Sequence, residues 1–176
     1  MQRVLIIGIS GAGKSTFARG FAARTRLPLV HLDREFWQPG WVLTKRDIWR
    51  PRVAALAAAD RWIMDGNYGA SLDLRLPRAD TVIWFDYPRI KCLRRAFWRS
   101  WSTYGRVRDD MAPGCPEQFD PGFARYIWRF NDLERHGILR ALREHGSHLR
   151  PVIIRNDRGA AAFLASLPHE SESVNY

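Results

Sequence analysis

The run Gly8-Ile9-Ser10-Gly11-Ala12-Gly13-Lys14-Ser15, followed by Thr16, fills G-x-x-x-x-G-K-[ST] without a gap, and its flanks restrict the fold more than its letters do. Residues 3 to 7 are a short, β-branched and mostly apolar run of the kind that becomes a strand buried on both faces. Residues 14 to 25 then put Phe17, Ala18, Phe21 and Ala22 on one helical stripe with arginines opposite. Strand, glycine turn and helix in that order make a phosphate-binding loop. The glycines bring backbone N–H groups close to phosphate oxygens, and the helix N-terminus adds partial positive charge. Gly8, Ser10, Gly11, Ala12, Gly13, Lys14, Ser15 and Thr16 are therefore the expected nucleotide contacts. In such a loop the lysine reaches the β- and γ-phosphates and the Ser15 hydroxyl ligates Mg²⁺, so ATP and Mg are the expected ligands.

The rest of the chain alternates in the same way. Strands are expected at 29–32, ending at Asp33, at 61–64, ending in Asp65-Gly66, at 81–85, ending at Asp86, and at 152–154. Helical spacing falls between them. A helix over 45–59 has Thr44 as its cap and Ile48, Val53, Leu56 and Ala57 as a partial stripe, with a kink or break at Pro51. A second runs from Pro88 with Ile90, Leu93, Phe97 and Trp101 inward. A third opens at Asp120-Pro121 and reaches about 145, carrying Phe123, Ile127, Phe130, Leu133 and Leu142, and a last one spans 157–167. This is an α/β pattern, a five-stranded parallel sheet with helices on both faces. Residues 1–168 are expected to be one domain, with a flap at about 34–59, a lid at about 99–120 and a loose tail over 169–176. Most of the eight tryptophans should be core or cleft wall.

The formal charge of +10 asks for an anionic partner, either a small phosphorylated ligand in a cleft or a nucleic-acid backbone on an outer face. The excess is arginine in an alanine-rich chain, a pairing that a G+C-rich genome also produces. Its distribution says more: residues 89–108 hold Arg89, Lys91, Arg94, Arg95, Arg99, Arg106 and Arg108 and no acid. Cys92 and Cys115 have no zinc-like spacing and read as reduced thiols. With no apolar run of membrane-spanning length and no export segment, a cytoplasmic protein with no membrane partner is expected, monomer or homodimer.

Ligands of an open parallel sheet sit beyond the carboxyl ends of its strands, which singles out Asp33, Asp65 and Asp86. Phosphoryl transfer with Mg²⁺ needs one carboxylate for the metal, directly or through water, and another for the attacking hydroxyl. Asp65 fits the first role and Asp33 the second; Asp86, close to Pro88, reads equally as a helix cap. Trp37 and Trp41 either stack on a planar ring, wall a sugar, or plug the flap.

Asp65-Gly66-Asn67-Tyr68 and Trp84-Phe85-Asp86-Tyr87-Pro88 resemble the D-G-[FY]-P and F-D-x-P segments of adenylate kinases and related nucleoside monophosphate kinase folds. The fuller set, His31-Leu32-Asp33, Trp37-x-Pro39-Gly40-Trp41, Asp65-Gly66-Asn67-Tyr68, Arg106-x-Arg108 and Gly114-Cys115-x-Glu117, resembles the FlaR-like "topology modulation protein" group of that superfamily, over about residues 3–167. Asn67 and Tyr68 depart from the adenylate kinase pattern, which has Pro-Arg there, so the arginine that clamps a monophosphate is missing. The resemblance implies a mobile lid whose arginines, here Arg94, Arg95, Arg99, Arg106 and Arg108, offset charge on the transferred phosphoryl group. Arg125 and Arg129 are further candidates for phosphate contacts. An acceptor pocket is expected between Asp33 with its aromatic loop and Asn67-Tyr68, lined by Trp37 and Trp41. The expected activity is transfer of the γ-phosphate of Mg-ATP to a small acceptor. The alternative is a nucleotide-dependent protein associated with DNA or RNA.

Overall fold

The computed structural model describes residues 1–167; the expected tail over 169–176 lies outside them. β1 (Arg3–Gly8) runs through the middle of a parallel sheet, and its Val4, Leu5, Ile6 and Ile7 are fully buried. The sheet order is β2 (Leu29–His31), β5 (Trp62–Asp65), β1, β6 (Thr81–Phe85), β7 (Val152–Ile154). Every pair is parallel, with Ile6 opposite both Asp65 and Ile83. β2 and β5 lie on one side of β1, and β6 and β7 on the other. The chain thus changes direction at β1, and the crevice at its carboxyl end is where such sheets bind ligands.

α1 (Lys14–Thr25) packs on the sheet through Phe17, Ala18 and Phe21, the expected stripe with Ala22 at its edge. Its phenyl rings meet Phe163 of α8 (Asp157–Ala165) at centroid distances of 6.1 and 6.3 Å. After β2, Leu32 does not extend the strand but opens a short helix, α2 (Leu32–Phe36). A hairpin follows, β3 (Trp37–Gln38) against β4 (Val42–Leu43), which the sequence reading left as loop. Thr44 closes the base of that hairpin, its backbone and side chain both donating to the Phe36 carbonyl, so Lys45 stands at the helix cap in its place.

α3 (Arg46–Ala57) runs unbroken through Pro51. The carbonyl that loses its donor belongs to Asp47, and both residues are exposed, so water can satisfy it. The buried stripe of α3 is Trp49, Val53 and Ala57, while Ile48 is exposed. Beyond β5 a 3₁₀ turn (Gly69–Ser71) leads into α4 (Leu72–Arg75).

α5 (Arg89–Ser102) is a helix as expected, rotated from the expected orientation. Cys92, Ala96 and Ser100 face inward, whereas Ile90, Phe97 and Trp101 are exposed. Asp120 caps α6 (Pro121–Trp128), accepting from the Gly122 N–H at 2.7 Å. The single long helix expected from there is two, α6 and α7 (His136–His145), joined through a wide π-type turn at Asn131–Arg135 that leaves Leu133 exposed. Trp49, Trp62 and Trp84 are buried and Trp37 and Trp41 line the cleft, but Trp98, Trp101 and Trp128 are exposed. Among the described residues no helix is long and apolar enough to cross a membrane.

Candidate functional site

A cleft of about 1540 Å³ opens at the carboxyl end of β1. Gly8 lies under it and is not part of its wall. With φ at +134°, a methyl group there would stand 2.3 Å from the Phe85 carbonyl oxygen, while the Gly8 N–H donates to Asn67 Oδ1 at 2.8 Å. The loop's origin is thereby clamped between β6 and the segment after β5. Ser10, Gly11, Ala12, Gly13, Lys14, Ser15 and Thr16 line the cleft. No side chain caps α1, so the N–H groups of its first turn remain for an anionic ligand.

Lys14 Nζ folds back to the Ile9 carbonyl at 3.1 Å. Burial lowers its pKa, and the charges of Asp65 and Asp33 only partly restore it. The loop therefore holds an ammonium short of anionic partners, a state that a polyphosphate would relieve. Asp65, at the end of β5, is 5% exposed. The register that sets His31 opposite Asp65 also brings the imidazole Nδ1 to 3.1 Å from Asp65 Oδ2. The other oxygen, Oδ1, is buried without any partner. From the lid, the carboxylate of Asp110 accepts a hydrogen bond from the Ser15 hydroxyl; burial pushes its pKa up, but Arg108 and Ser15 bring it below the ordinary value. Neither His31 nor Asp110 was singled out as functional from sequence. No group of three His, Cys, Asp or Glu side chains among the described residues could hold a metal alone. The orphaned Asp65 oxygen and the Ser15 hydroxyl, both on the cleft wall, suit a cation that takes its remaining oxygens from phosphate and water.

The other end of the cleft is built around Asp33, in the first turn of α2. Tyr68 donates its hydroxyl to Asp33 Oδ1 at 2.5 Å. Burial raises the Asp33 pKa, and the Tyr68 hydrogen bond and the charge of Lys14 offset part of that rise. Tyr68 occupies a left-handed backbone conformation, φ +39°, unusual for a bulky side chain. What holds it there is Arg75, fully buried and without a carboxylate. Its guanidinium donates to the carbonyls of Gly66 (3.1 Å), Asn67 and Tyr68 (3.1 Å), and burial lowers its pKa to about 9. The sequence signal was an arginine embedded among Leu72, Leu74 and Leu76. Asn67 is one of the expected substrate contacts; its side-chain carbonyl is already engaged by the Gly8 N–H.

Flap and lid meet along a seam. Trp41 Nε1 donates to the Pro116 carbonyl at 3.0 Å, Gly40 N–H to the Gly114 carbonyl at 2.8 Å, and Cys115 Sγ to the Gln38 carbonyl at 3.1 Å. Met111, Ala112 and Cys115 are buried against Trp37 and Trp41, whose rings stand 5.3 Å apart at 73°. Of the lid cations, Arg99 and Arg108 converge on Glu117, at 3.3 and 2.9 Å, and Ser100 Oγ donates to Glu117 Oε1 at 2.7 Å. Glu117 is 6% exposed, and burial together with Arg108 lowers the Arg99 pKa. Arg95 lines the cleft but pairs with Asp157 of α8 at 2.7 Å; Arg106 is exposed at the rim. Arg125 and Arg129 do not line the cleft. They lie on the exposed side of the α6 segment, while Phe123 and Tyr126 face the cleft and Ile127 and Phe130 are buried. Asp86 also lies outside it, paired with Arg135 at 3.3 Å.

Comparison with solved structures places this architecture. The structure of a gluconokinase from Sinorhizobium meliloti 1021 matches over 96% of this chain and 94% of that one, with a TM-score of 0.52 and 18% identity. The two chains share one α/β fold. A shikimate kinase from Bacteroides thetaiotaomicron aligns over 94% of this chain and 95% of its own, at 14% identity and a TM-score of 0.49. No protein-family model matches the chain, and no curated protein matches it.

Proposed function

We propose that this protein transfers the γ-phosphate of Mg-ATP to the hydroxyl group of a small acceptor. The observation that carries this reading is one cleft with the phosphate loop and the unpartnered Asp65 oxygen at one end and Asp33, raised above its ordinary value, at the other. The loop amides and Lys14 bind the phosphates. Ser15 with Asp65 and Asp110 would hold Mg²⁺, directly or through water, and the ion would supply positive charge against the phosphates. Asp33 orients the acceptor hydroxyl and takes its proton. Arg95, Arg99, Arg106 and Arg108 would leave their present partners or the rim to meet the transferred group, where an arginine contributes several kcal/mol to lowering the barrier in comparable reactions. Trp37, Trp41 and Tyr68 wall the acceptor. The narrower likeness, to the topology modulation group, is supported by the meeting of the Trp37-x-Pro39-Gly40-Trp41 and Gly114-Cys115-x-Glu117 segments along the seam.

The test is nucleotide binding and phosphate transfer by paired variants. Lys14→Met should abolish ATP binding with the fold intact; unchanged affinity would sink the donor assignment. Asp33→Asn should cut transfer about a hundredfold or more while nucleotide affinity stays near that of the parent. The same substitution should raise the melting temperature at neutral pH. A carboxyl group whose folded pKa is raised stabilises the fold below its unfolded pKa and loses that stabilisation as pH rises through the folded value. For the same reason the transfer rate should climb with pH along a limb displaced above the ordinary aspartate range.

A second reading, nucleotide-dependent association with nucleic acid, has one observation in its favour: Trp98, Trp101 and Tyr104 are exposed on and just beyond α5, where Arg94 is exposed too. Binding to single strands that survives physiological salt and responds to ATP would support it, whereas binding abolished by modest salt is polyelectrolyte attraction.

A further inference from the structure

The acceptor end of the cleft, around Asp33, feels two cations, Lys14 of the phosphate loop and Arg108, which is already paired with Asp110 and Glu117. Its walls are Phe36, Trp37, Tyr68 and Tyr126, with Asp33 and Glu134 as the ionisable groups. The rings form a connected set, Phe36 to Tyr68 at 4.7 Å and Phe36 to Trp37 at 5.4 Å. Glu134 arrives through the π-type turn between α6 and α7, and its Oε2 lies 3.5 Å from where a side chain on Gly69 would begin. Among the described residues no cation stands within ion-pair distance of it. The Tyr126 phenol feels the charge of both carboxylates and hydrogen-bonds with Asn67. The nearby guanidinium groups are committed elsewhere. Arg75 is spent on backbone carbonyls, Arg50 on Asp73 and the Ala70 carbonyl, and Arg52 on the Glu35 carbonyl. Arg99 and Arg108 are turned to Glu117.

We propose that the acceptor carries an ammonium group as well as the hydroxyl that is phosphorylated, as an amino alcohol or amino sugar does. This rests on the phosphotransfer reading and specifies its acceptor. A carboxylate or phosphate on the acceptor would meet Glu134 with no cation in ion-pair distance of it, since Lys14 serves the ATP phosphates in this reading and Arg108 is paired with Asp110 and Glu117. An ammonium group meets Glu134 and the faces of the aromatic rings, both of which attract it. The two carboxylates then divide the work. Glu134 holds the charged end, and Asp33 faces the hydroxyl. In the transfer the hydroxyl oxygen forms a bond to the γ-phosphorus as the bond from that phosphorus to the β,γ-bridging oxygen breaks. The electron pair leaves on ADP, the hydroxyl proton goes to the Asp33 carboxylate, and the ammonium is unchanged.

The experiment uses the full chain with Mg-ATP and size-matched probes: 2-aminoethanol and glucosamine, the neutral ethylene glycol and glucose, and the anionic glycolate and gluconate. Phosphorylated product is followed by phosphorus NMR. Binding of each probe to the complex with a non-hydrolysable ATP analogue is read from tryptophan fluorescence, to which Trp37 and Trp41 report. The ammonium compounds should exceed the neutral ones by about tenfold in kcat/KM and in affinity, with the anionic ones last. Glu134→Gln should bring the ratio of ammonium to neutral probe close to one, and binding of the ATP analogue by the same preparation shows that the variant is folded. Preference for gluconate or glycolate, an unchanged ratio in Glu134→Gln, or no binding of any ammonium probe at millimolar concentration overturns the proposal. Selective binding of the ammonium probes without transfer to any compound would uphold the charge of the pocket and overturn the phosphotransfer reading instead.

Discussion

The donor end of the cleft is held by its backbone and the acceptor end by side chains. At the donor end nine consecutive residues, Gly8 to Thr16, follow a fully buried strand, and the loop is fixed because neighbouring strands leave no room for it to move. At the acceptor end the wall is assembled from the flap, the segment after β5, the lid and the turn before α7. Its seam joins residues as far apart as Trp41 and Pro116. In the proposed phosphotransfer, this contrast would give a fixed phosphate site and an acceptor site able to close over its ligand.

Gly8→Ala tests the rigid end and should have the largest effect. Its methyl group would overlap the backbone of Phe85, and a φ of +134° is closed to side chains. Overlap and strain together come to about 4 kcal/mol or more, enough to unfold a marginal domain. Chemical denaturation checks it; a stable variant with normal nucleotide affinity would break the contrast between the two ends.

Glu117→Gln tests the lid. Arg99 and Arg108, the arginines proposed to meet the phosphate, repel each other, and Glu117 supplies a counter-charge to both. Removing the charge takes Arg99 off its carboxylate and leaves Arg108 held by Asp110 alone, so transfer should fall about tenfold to a hundredfold while nucleotide affinity changes little. Single-turnover kinetics beside equilibrium nucleotide binding separates the two.

Gly114→Ala tests the seam alone. With φ at +76° and Pro39 Cβ 2.8 Å from where the methyl would sit, the flap has to move off the lid. The cost should be about 1–2 kcal/mol. It should surface as a raised KM for the acceptor, because Trp37 and Trp41 lose their backing, with the KM for ATP nearly unchanged. Equal changes in both would mean that the seam serves the donor end too.

The same division explains what was legible in the sequence. The five parallel strands, the loop and the cap at Asp120 depend on residues close together in the chain, and each lies where pattern and local chemistry put it. The seam between the Trp37–Leu43 hairpin and residues 114–116, the anchoring of Arg99 and Arg108 by Glu117, and the pairing of His31 with Asp65 depend on partners many residues away, which no local pattern encodes. The placement of Arg125 and Arg129 failed for a different reason. The charge of Arg125 and Arg129 points to phosphate, but the periodicity of α6 gives the inward side to Phe123, Ile127 and Phe130. Pro51 misled because the expectation of a break ignored that a lone carbonyl on a solvent-facing turn can be satisfied by water.

The smallest effect is expected where pattern reading and packing disagree most, on α5. The apolar pattern puts Ile90, Leu93, Phe97 and Trp101 inward; Leu93 does pack against the core, yet Ile90, Phe97 and Trp101 are exposed and Cys92, Ala96 and Ser100 take the buried side. The reason is distance. A methyl group on Gly11 would stand 2.3 Å from the Cys92 carbonyl oxygen, so the helix lies close against the phosphate loop and small side chains are the ones that fit under it. Trp101, 74% exposed, therefore carries little of the fold's stability, and Trp101→Ser should shift it by no more than about 0.5 kcal/mol. Ala96→Leu, by contrast, would push α5 off the loop and should cost about 1–3 kcal/mol with a loss of nucleotide affinity. Thermal melts of the two variants with and without ATP decide it: if Trp101→Ser proves the more damaging, the inward side of α5 is the one the apolar pattern named, and the loop is braced by something other than close helix packing.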